Sequence, residues 1–163
     1  MAPKKADGKK GDAPVSPQAR FFELTNALQP VRRAWLQASA AATGSCGYPF
    51  PVVSAIVLLA RLGDGVQQST LAEAIGVNPA AMLRTLDQAE AAGLCRRRDV
   101  PHNRRIKSVQ LLPPGRALAR KAEAQLNGLR AELLGSIELR DIETATRVLH
   151  TFEERIRAHL VGS

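Results

Sequence analysis

The residues best equipped for chemistry lie in "RRRDVPHNRRIKS", residues 96–108. Arginines stand on both sides of a short polar break that contains a proline. Apolar residues flank the whole: Leu94 and Cys95 before it, Val109, Leu111 and Leu112 after it. Like charges packed this densely repel one another, so an anionic partner is expected to offset the cost. The rest of the chain has the same sign, with a formal net charge of +8 and a pI of about 10.3. That balance favours polyanions, either nucleic acid or an anionic membrane surface. Enzymatic chemistry has no comparable foothold. There is no P-loop, GxGxxG, GxSxG or HExxH pattern, so no catalytic residue and no cofactor are expected. Cys46 and Cys95 are too far apart for a CxxC pair, and His102, His150 and His159 have no ligand spacing with either, so no metal site is expected. Two scattered cysteines fit a reducing cytosol. No apolar run approaches the roughly 20 residues that span a bilayer, and the charged N-terminus lacks an apolar signal region. A cytoplasmic protein without membrane contact is the expectation.

The elements that must position the basic segment are legible from periodicity. The 163 residues suit one compact domain with a tail. Hydrophobic residues make up 45% but aromatics only 4%, so the core must be built from Leu, Ile, Val and Ala. Apart from Met1 and Val15, residues 1–15 are Lys, Gly, Ala, Asp and Pro, and they are expected to bury too little to order themselves. They read as a solvated basic tail, whose Lys4, Lys5, Lys9 and Lys10 could add phosphate contacts. A helix is expected from Ser16 as N-cap and Pro17 as first residue, with Phe21, Leu24, Leu28, Val31 and Trp35 on one stripe. Pro30 should kink or restart it, and the breakers of "TGSCGYPFP" should end it.

"PVVSAIVLLARLGDG" is apolar nearly all round and reads as a buried helix closed by Gly63 and Gly65. In the next helix, Thr70 and Glu73 have capping-box spacing and Leu71, Ala74 and Ile75 make the apolar face. Asn78 caps a following helix with Pro79 at its first position. There Met82, Leu86, Ala89 and Gly93 share one side, and Arg84, Asp87 and Ala91 the other. Two strand-like runs, "LCRRR" and "RIKSVQLL", are joined by "DVPHN". Two helices close the chain. One starts at Pro113 and Pro114 and carries Leu118, Ala122, Leu126, Leu129 and Leu133. The other carries Ile142, Ala145, Leu149, Phe152 and Ile156. Both have a coiled-coil-like seam.

Helix-turn-helix followed at once by a basic hairpin is a winged helix. The expected fold is mostly α: a winged helix-turn-helix over 50–112, flanked by helical dimerisation regions at 16–45 and 113–161. The outer stripes exceed what the small central module can cover, so a homodimer is expected.

"STLAEAIGVNPAAMLRTLDQAEAAGLCRRRDVPHNRRIKSVQLLPPGRAL" resembles the MarR family of bacterial transcription regulators, and the likeness extends over roughly residues 20–160. "LAEAIGV", "GLCRRR" and "NRRIKSVQLLPPG" carry it most specifically. Three positions depart from the family pattern. Asn103 stands where Asp is usual, Leu112 replaces the capping Thr, and Ala89 replaces a larger apolar residue. The resemblance implies a repressor that binds double-stranded DNA. Its wing would place Arg105 in the minor groove, Arg104 and Lys107 near phosphates, and Arg96, Arg97 and Arg98 at the base, where some could instead pair with Asp87 or Asp99. Its recognition helix would turn Ala80, Ala81, Leu83, Arg84 and Gln88 to the major groove. Arg84 can bind a guanine bidentately or hold a phosphate; Ala80, Ala81 and Leu83 offer only apolar contact. The resemblance also implies a small-molecule effector, an aromatic carboxylate or phenol, with Arg32, Trp35, Tyr48 and Phe50 as candidates that ordinary core packing also explains. Three other readings stay open at this point: a non-sequence-specific architectural nucleic-acid-binding protein, a protein-interaction module, and a redox-sensing regulator acting through Cys46.

Overall fold

The computed structural model describes residues 16–100 and 103–162, and for Val100 and residues 103–106 it describes the backbone alone. The basic tail with its four lysines, and His102, lie outside the described residues. The chain falls into two units, the first ending at Ala38 and the second running from Ser39.

The first unit is helix α1, Pro17–Ala42, as far as Ala38. Its start has the expected signature, with Ser16 Oγ accepting the Ala19 N–H at 3.3 Å ahead of Pro17. Pro30 neither ends nor restarts the helix. A proline deletes one backbone hydrogen bond, and the good helix formers around it (Ala, Leu, Gln, Arg) carry the turns through. Phe21 and Val31 on the apolar stripe are 66% and 65% exposed.

In the second unit the last turn of α1 leads into a 3-10 turn, Gly44–Cys46, and then α2, Phe50–Leu62. Next come β1, Val66–Gln67, α3, Gln68–Ile75, and α4, Pro79–Ala91. The strands β2, Cys95–Val100, and β3, Asn103–Leu111, follow. Helices α5, Pro113–Leu134, and α6, Leu139–Val161, close the chain. The three strands form one antiparallel sheet in the order β1-β3-β2, with Val66 opposite Val109 and Arg97 opposite Val109 from the other side. The winged helix expected from the sequence is therefore present, with one more strand than expected.

The core is aliphatic, as the shortage of aromatics requires. Val53, Ile56 and Leu59 of α2 pack with Leu71 of α3, Met82 and Leu86 of α4, Val109 and Leu111 of β3, and Leu118 and Ala122 of α5. Each fully buried Leu, Ile, Val or Met contributes about 1.5–3 kcal/mol. Two details of α3 differ from expectation. It starts at Gln68, so Thr70 lies inside it and the capping box is not formed; Gln67, paired in β1, passes straight into the helix. Its buried alanine is Ala72, and Ala74 is exposed. The α5 start follows its two prolines, with Leu112 at the N-cap and no side-chain cap bond.

One close approach fixes how α5 leaves the sheet. A Cβ at Gly115 would stand 2.0 Å from the Leu94 carbonyl oxygen, which already accepts the Leu112 N–H at 3.0 Å. Backbone cannot retreat there without breaking the β2–β3 end. Gly115→Ala is expected to cost about 2–4 kcal/mol, read by urea unfolding. A loss below about 0.5 kcal/mol, the range of an ordinary surface change, would contradict this packing.

α6 has no buried residue. Leu139, Leu149, Ile156 and Leu160 are exposed, as are Leu133, Leu134 and Ile137 ahead of it. Leu149, Ile156 and Leu160 fall on one side of α6 by the 100° step per residue, an exposed apolar stripe of the kind that suits an interaction surface.

Candidate nucleic-acid interface

Helix α4 is built to present one face. Asn78 Oδ1 accepts the Ala81 N–H at 2.8 Å, and Pro79 needs no donor partner at the first position. Met82, Leu86 and Ala89 anchor the inner face in the core. That leaves Ala80, Leu83, Arg84, Asp87 and Gln88 exposed, with Ala81 half-buried. Among the described residues no ion pair involves Arg84.

Gly93, at φ +68°, turns the chain from α4 into β2, and Leu94 N–H bonds back to the Ala89 carbonyl at 2.9 Å. Successive strand residues face opposite sides. Cys95 and Arg97 therefore share the core-facing side with their partners Leu111 and Val109, while Arg96 and Arg98 face outward with Gln110 and Ser108. This alternation divides the three arginines by role. The Arg97 guanidinium is taken up by two carboxylates of α4, Asp87 and Glu90, each at 2.6 Å. Its backbone N–H adds a bond to Glu90 Oε1 at 2.9 Å. Arg97 thus locks the base of the wing to α4, in the way the sequence allowed for some of these arginines. Arg96 Nε bonds Gln110 at 3.3 Å. Arg98 is exposed, and no ion pair among the described residues involves it. Lys107 pairs with Asp99 directly across the sheet; both are exposed, so the pair is weak and exchangeable. Arg104 and Arg105 sit on β3, and their side chains lie outside the described set.

The lock has a pH signature. The Arg97 backbone N–H, and then its guanidinium, hold the Glu90 carboxyl below the ordinary glutamate range. A carboxyl whose folded value is depressed stabilises the fold fully above its unfolded pKa of about 4.3, and loses that contribution as pH falls through the folded value. Glu90→Gln is expected to cost about 1–2 kcal/mol at pH 7, with the gap to wild type narrowing below about pH 4 in urea unfolding. A gap independent of pH would assign the loss to packing instead of charge.

The effector candidates belong to different units. Arg32, exposed, and Trp35, half-buried, are in the first; Tyr48, exposed, and Phe50, half-buried, are in the second. The cysteines are both free and both buried. Burial pushes the Cys95 thiol up to about 11, with the nearby Glu90 charge adding to it, which suits an inert core residue. Cys46, the candidate redox cysteine of the sequence, is 8% exposed with its Sγ donating to Gln125 Oε1 at 3.1 Å. The 3-10 turn folds it inward, which removes the exposure that oxidant sensing requires.

A capped helix with an exposed face, locked to a basic antiparallel hairpin, defines the winged helix-turn-helix class. Residues 53–107, from α2 into β3, match the family model of the MarR family. A MarR-family transcriptional regulator from Rhodococcus sp. RHA1 superposes with a TM-score of 0.72 at 24% identity, over 83% of this chain and 95% of that one. The transcriptional regulator PA3341 gives 0.76 at 27% identity, over 82% and 98%. CouR from Rhodococcus jostii RHA1, bound to p-coumaroyl-CoA, gives 0.69 at 22% identity, over 79% and 90%. The chain thus matches the MarR family model over residues 53–107 and has the fold of MarR-family transcriptional regulators. No described helix is long and apolar enough to cross a membrane.

Proposed function

We propose that the protein is a homodimeric, cytoplasmic transcription regulator, a repressor, that binds a pseudo-palindromic operator in double-stranded DNA and is released by a small aromatic or phenolic effector. It acts by binding and not by catalysis. The observation that carries this reading is the exposed face of α4, with Arg84 outside any described ion pair, locked through Arg97 to a wing whose Arg98 faces outward. In the proposed complex Ala80, Ala81, Leu83, Arg84 and Gln88 approach base edges, and Arg98, Arg104, Arg105 and Lys107 follow the backbone and minor groove. Arg97 leaves the contact set and becomes the residue that fixes the wing.

The dimer is supported by the exposed stripe of α6, which a single chain leaves to water. Two-fold symmetry then spaces the half-sites by about one helical turn, roughly 10 bp. The p-coumaroyl-CoA bound to CouR supports an effector for this chain as well. Such an effector releases DNA only by binding two dimer geometries with different affinity. A second reading, charge-driven architectural binding, is favoured by one feature: Ala80, Ala81 and Leu83 give the α4 face few hydrogen-bonding groups.

Sedimentation velocity with a two-half-site duplex and a single half-site tests the regulator. Two chains per full duplex, and at least about a hundredfold weaker binding to the half-site, are expected from bivalent binding. Binding that scales with duplex length at any sequence favours the architectural reading.

A further inference from the structure

The turn between α2 and β1 carries one acid, Asp64, that reaches two other elements. Its Oδ1 accepts the Leu111 N–H of β3 at 3.2 Å, and its Oδ2 accepts from the Arg116 guanidinium of α5 at 2.5 Å. These bonds complete a sheet edge that the backbone leaves short. Alternate residues of an antiparallel strand turn their N–H and C=O groups to the same neighbour. On β3, Val109 faces β1, where it pairs with Val66, and Leu111 is the next residue to face that way. β1 is only two residues long. Gly65 extends it by one bond, its N–H reaching the Val109 carbonyl at 3.0 Å. At Leu111 the Asp64 carboxylate takes the place that the next backbone carbonyl would hold.

We propose that Asp64 is a positioning residue for DNA binding: by lengthening β1 with its own carboxylate it sets the direction in which β3 leaves the core, and so where the wing meets the phosphate backbone. The proposal rests on the DNA-binding reading above and adds a residue to it.

The wing is a long lever with a short root. β3 has nine residues, roughly 30 Å at about 3.3 Å per residue, so a tilt of about 10° at its root moves the far end by about 5 Å. That shift exceeds the about 3 Å of a hydrogen bond, enough to lose a phosphate contact. Arg97 ties the β2 side of the hairpin to α4 through Asp87 and Glu90. Asp64 supplies the tie on the β1 side. Helix α4 itself does not depend on it, because Met82, Leu86 and Ala89 anchor that helix in the core. The two bonds of Asp64 have different parts. The pair with Arg116 is part-exposed and contributes little alone. What it does is hold the carboxylate in place and charged. The Arg116 guanidinium, and then the Leu111 N–H, keep the Asp64 carboxyl below the ordinary aspartate range. An anionic acceptor makes the Leu111 bond charge-assisted, stronger than the neutral strand bond it replaces.

Anisotropy titrations of the full chain over a salt series test this, with the DNA flanking this protein's own gene and a scrambled duplex. The proteins are wild type, Asp64→Ala, Arg98→Ala and the double variant. Asp64→Ala is expected to weaken both duplexes by the same factor, at least about tenfold, and to lower the salt slope by about one to two ions. Arg98→Ala should lower the slope by about one ion in wild type and by less than about half an ion in Asp64→Ala, because the displaced wing no longer uses Arg98. Hydrogen exchange at the Leu111 amide, measured without DNA, should speed up in Asp64→Ala. A residue that only stabilised the fold would lower the melting temperature and leave the slope of the folded protein unchanged. Asp64→Asn keeps an acceptor for Leu111 but loses the charge held by Arg116, so its slope should fall between wild type and Asp64→Ala. It carries the test if Asp64→Ala alters circular dichroism, and a wild-type slope in it would then overturn the proposal. An unchanged slope in folded Asp64→Ala, a full Arg98 effect in its background, or a loss confined to the flanking DNA also overturns it. Wild type that binds both duplexes equally overturns the regulator reading instead, and the slopes still decide the role of Asp64. Wild type that binds neither overturns both.

Discussion

Ile156→Asp on α6 is expected to convert the proposed dimer to monomers and to weaken binding to a two-half-site duplex at least about a hundredfold. The stripe of Leu149, Ile156 and Leu160 is exposed in the single chain. An aspartate at its centre must be buried unpaired if the interface forms, at several kcal/mol per chain, and two-fold symmetry places the cost twice. Bivalent binding then fails, because linked half-site contacts raise avidity by about 10²–10⁴. The winged helix should stay folded, since α6 contributes nothing to the buried core. Sedimentation equilibrium and circular dichroism read both parts. Leu149→Asp should behave alike. A variant that remains dimeric would move the interface away from α6.

Arg84→Ala and Arg98→Ala are expected to separate sequence reading from phosphate holding. Both side chains are exposed, and neither enters an ion pair among the described residues. Arg84 stands on the exposed face of α4, from which, in the proposed complex, a guanidinium would reach guanine O6 and N7. Its loss should cost about 1–3 kcal/mol on the operator and much less on scrambled DNA. Arg98 faces outward on the wing, and its loss should weaken all duplexes alike and lower the salt slope by about one ion. Anisotropy titrations on both duplexes over a salt series measure the difference. A uniform loss in Arg84→Ala would make it a phosphate ligand and shift specificity to the wing and to DNA shape.

What the sequence revealed follows the strength of each local signal. Asn78–Pro79 announces α4 because a cap and a first-turn proline occupy adjacent positions, and both act in the structure. The helix-turn-helix and hairpin were legible for the same reason. β1 was not, because two residues carry no period, and its pairing to β3 is set by tertiary contact. The phase of α3 was ambiguous. Leu71 and Ile75 fix one face, but Ala72 and Ala74 fit beside it equally, and only the packed core selects Ala72. The role of Arg97 was within reach. Cys95 and Val109 set the strand phase, and alternation puts Arg97 on their side, toward the acids of α4. The buried position of Cys46 was not, since its partner Gln125 lies 79 residues away. The pair of Asp64 with Arg116 was also hidden, because the two are 52 residues apart and meet only when α5 packs beside the sheet.

The measurement that bears most directly on sequence-specific DNA binding is fluorescence anisotropy with the DNA flanking this protein's own gene, against a scrambled duplex, at physiological salt. A preference of at least about a thousandfold is expected, the ratio typical of operator binders. Equal affinity for both duplexes, falling steeply with salt, would contradict it and leave a charge-driven binder.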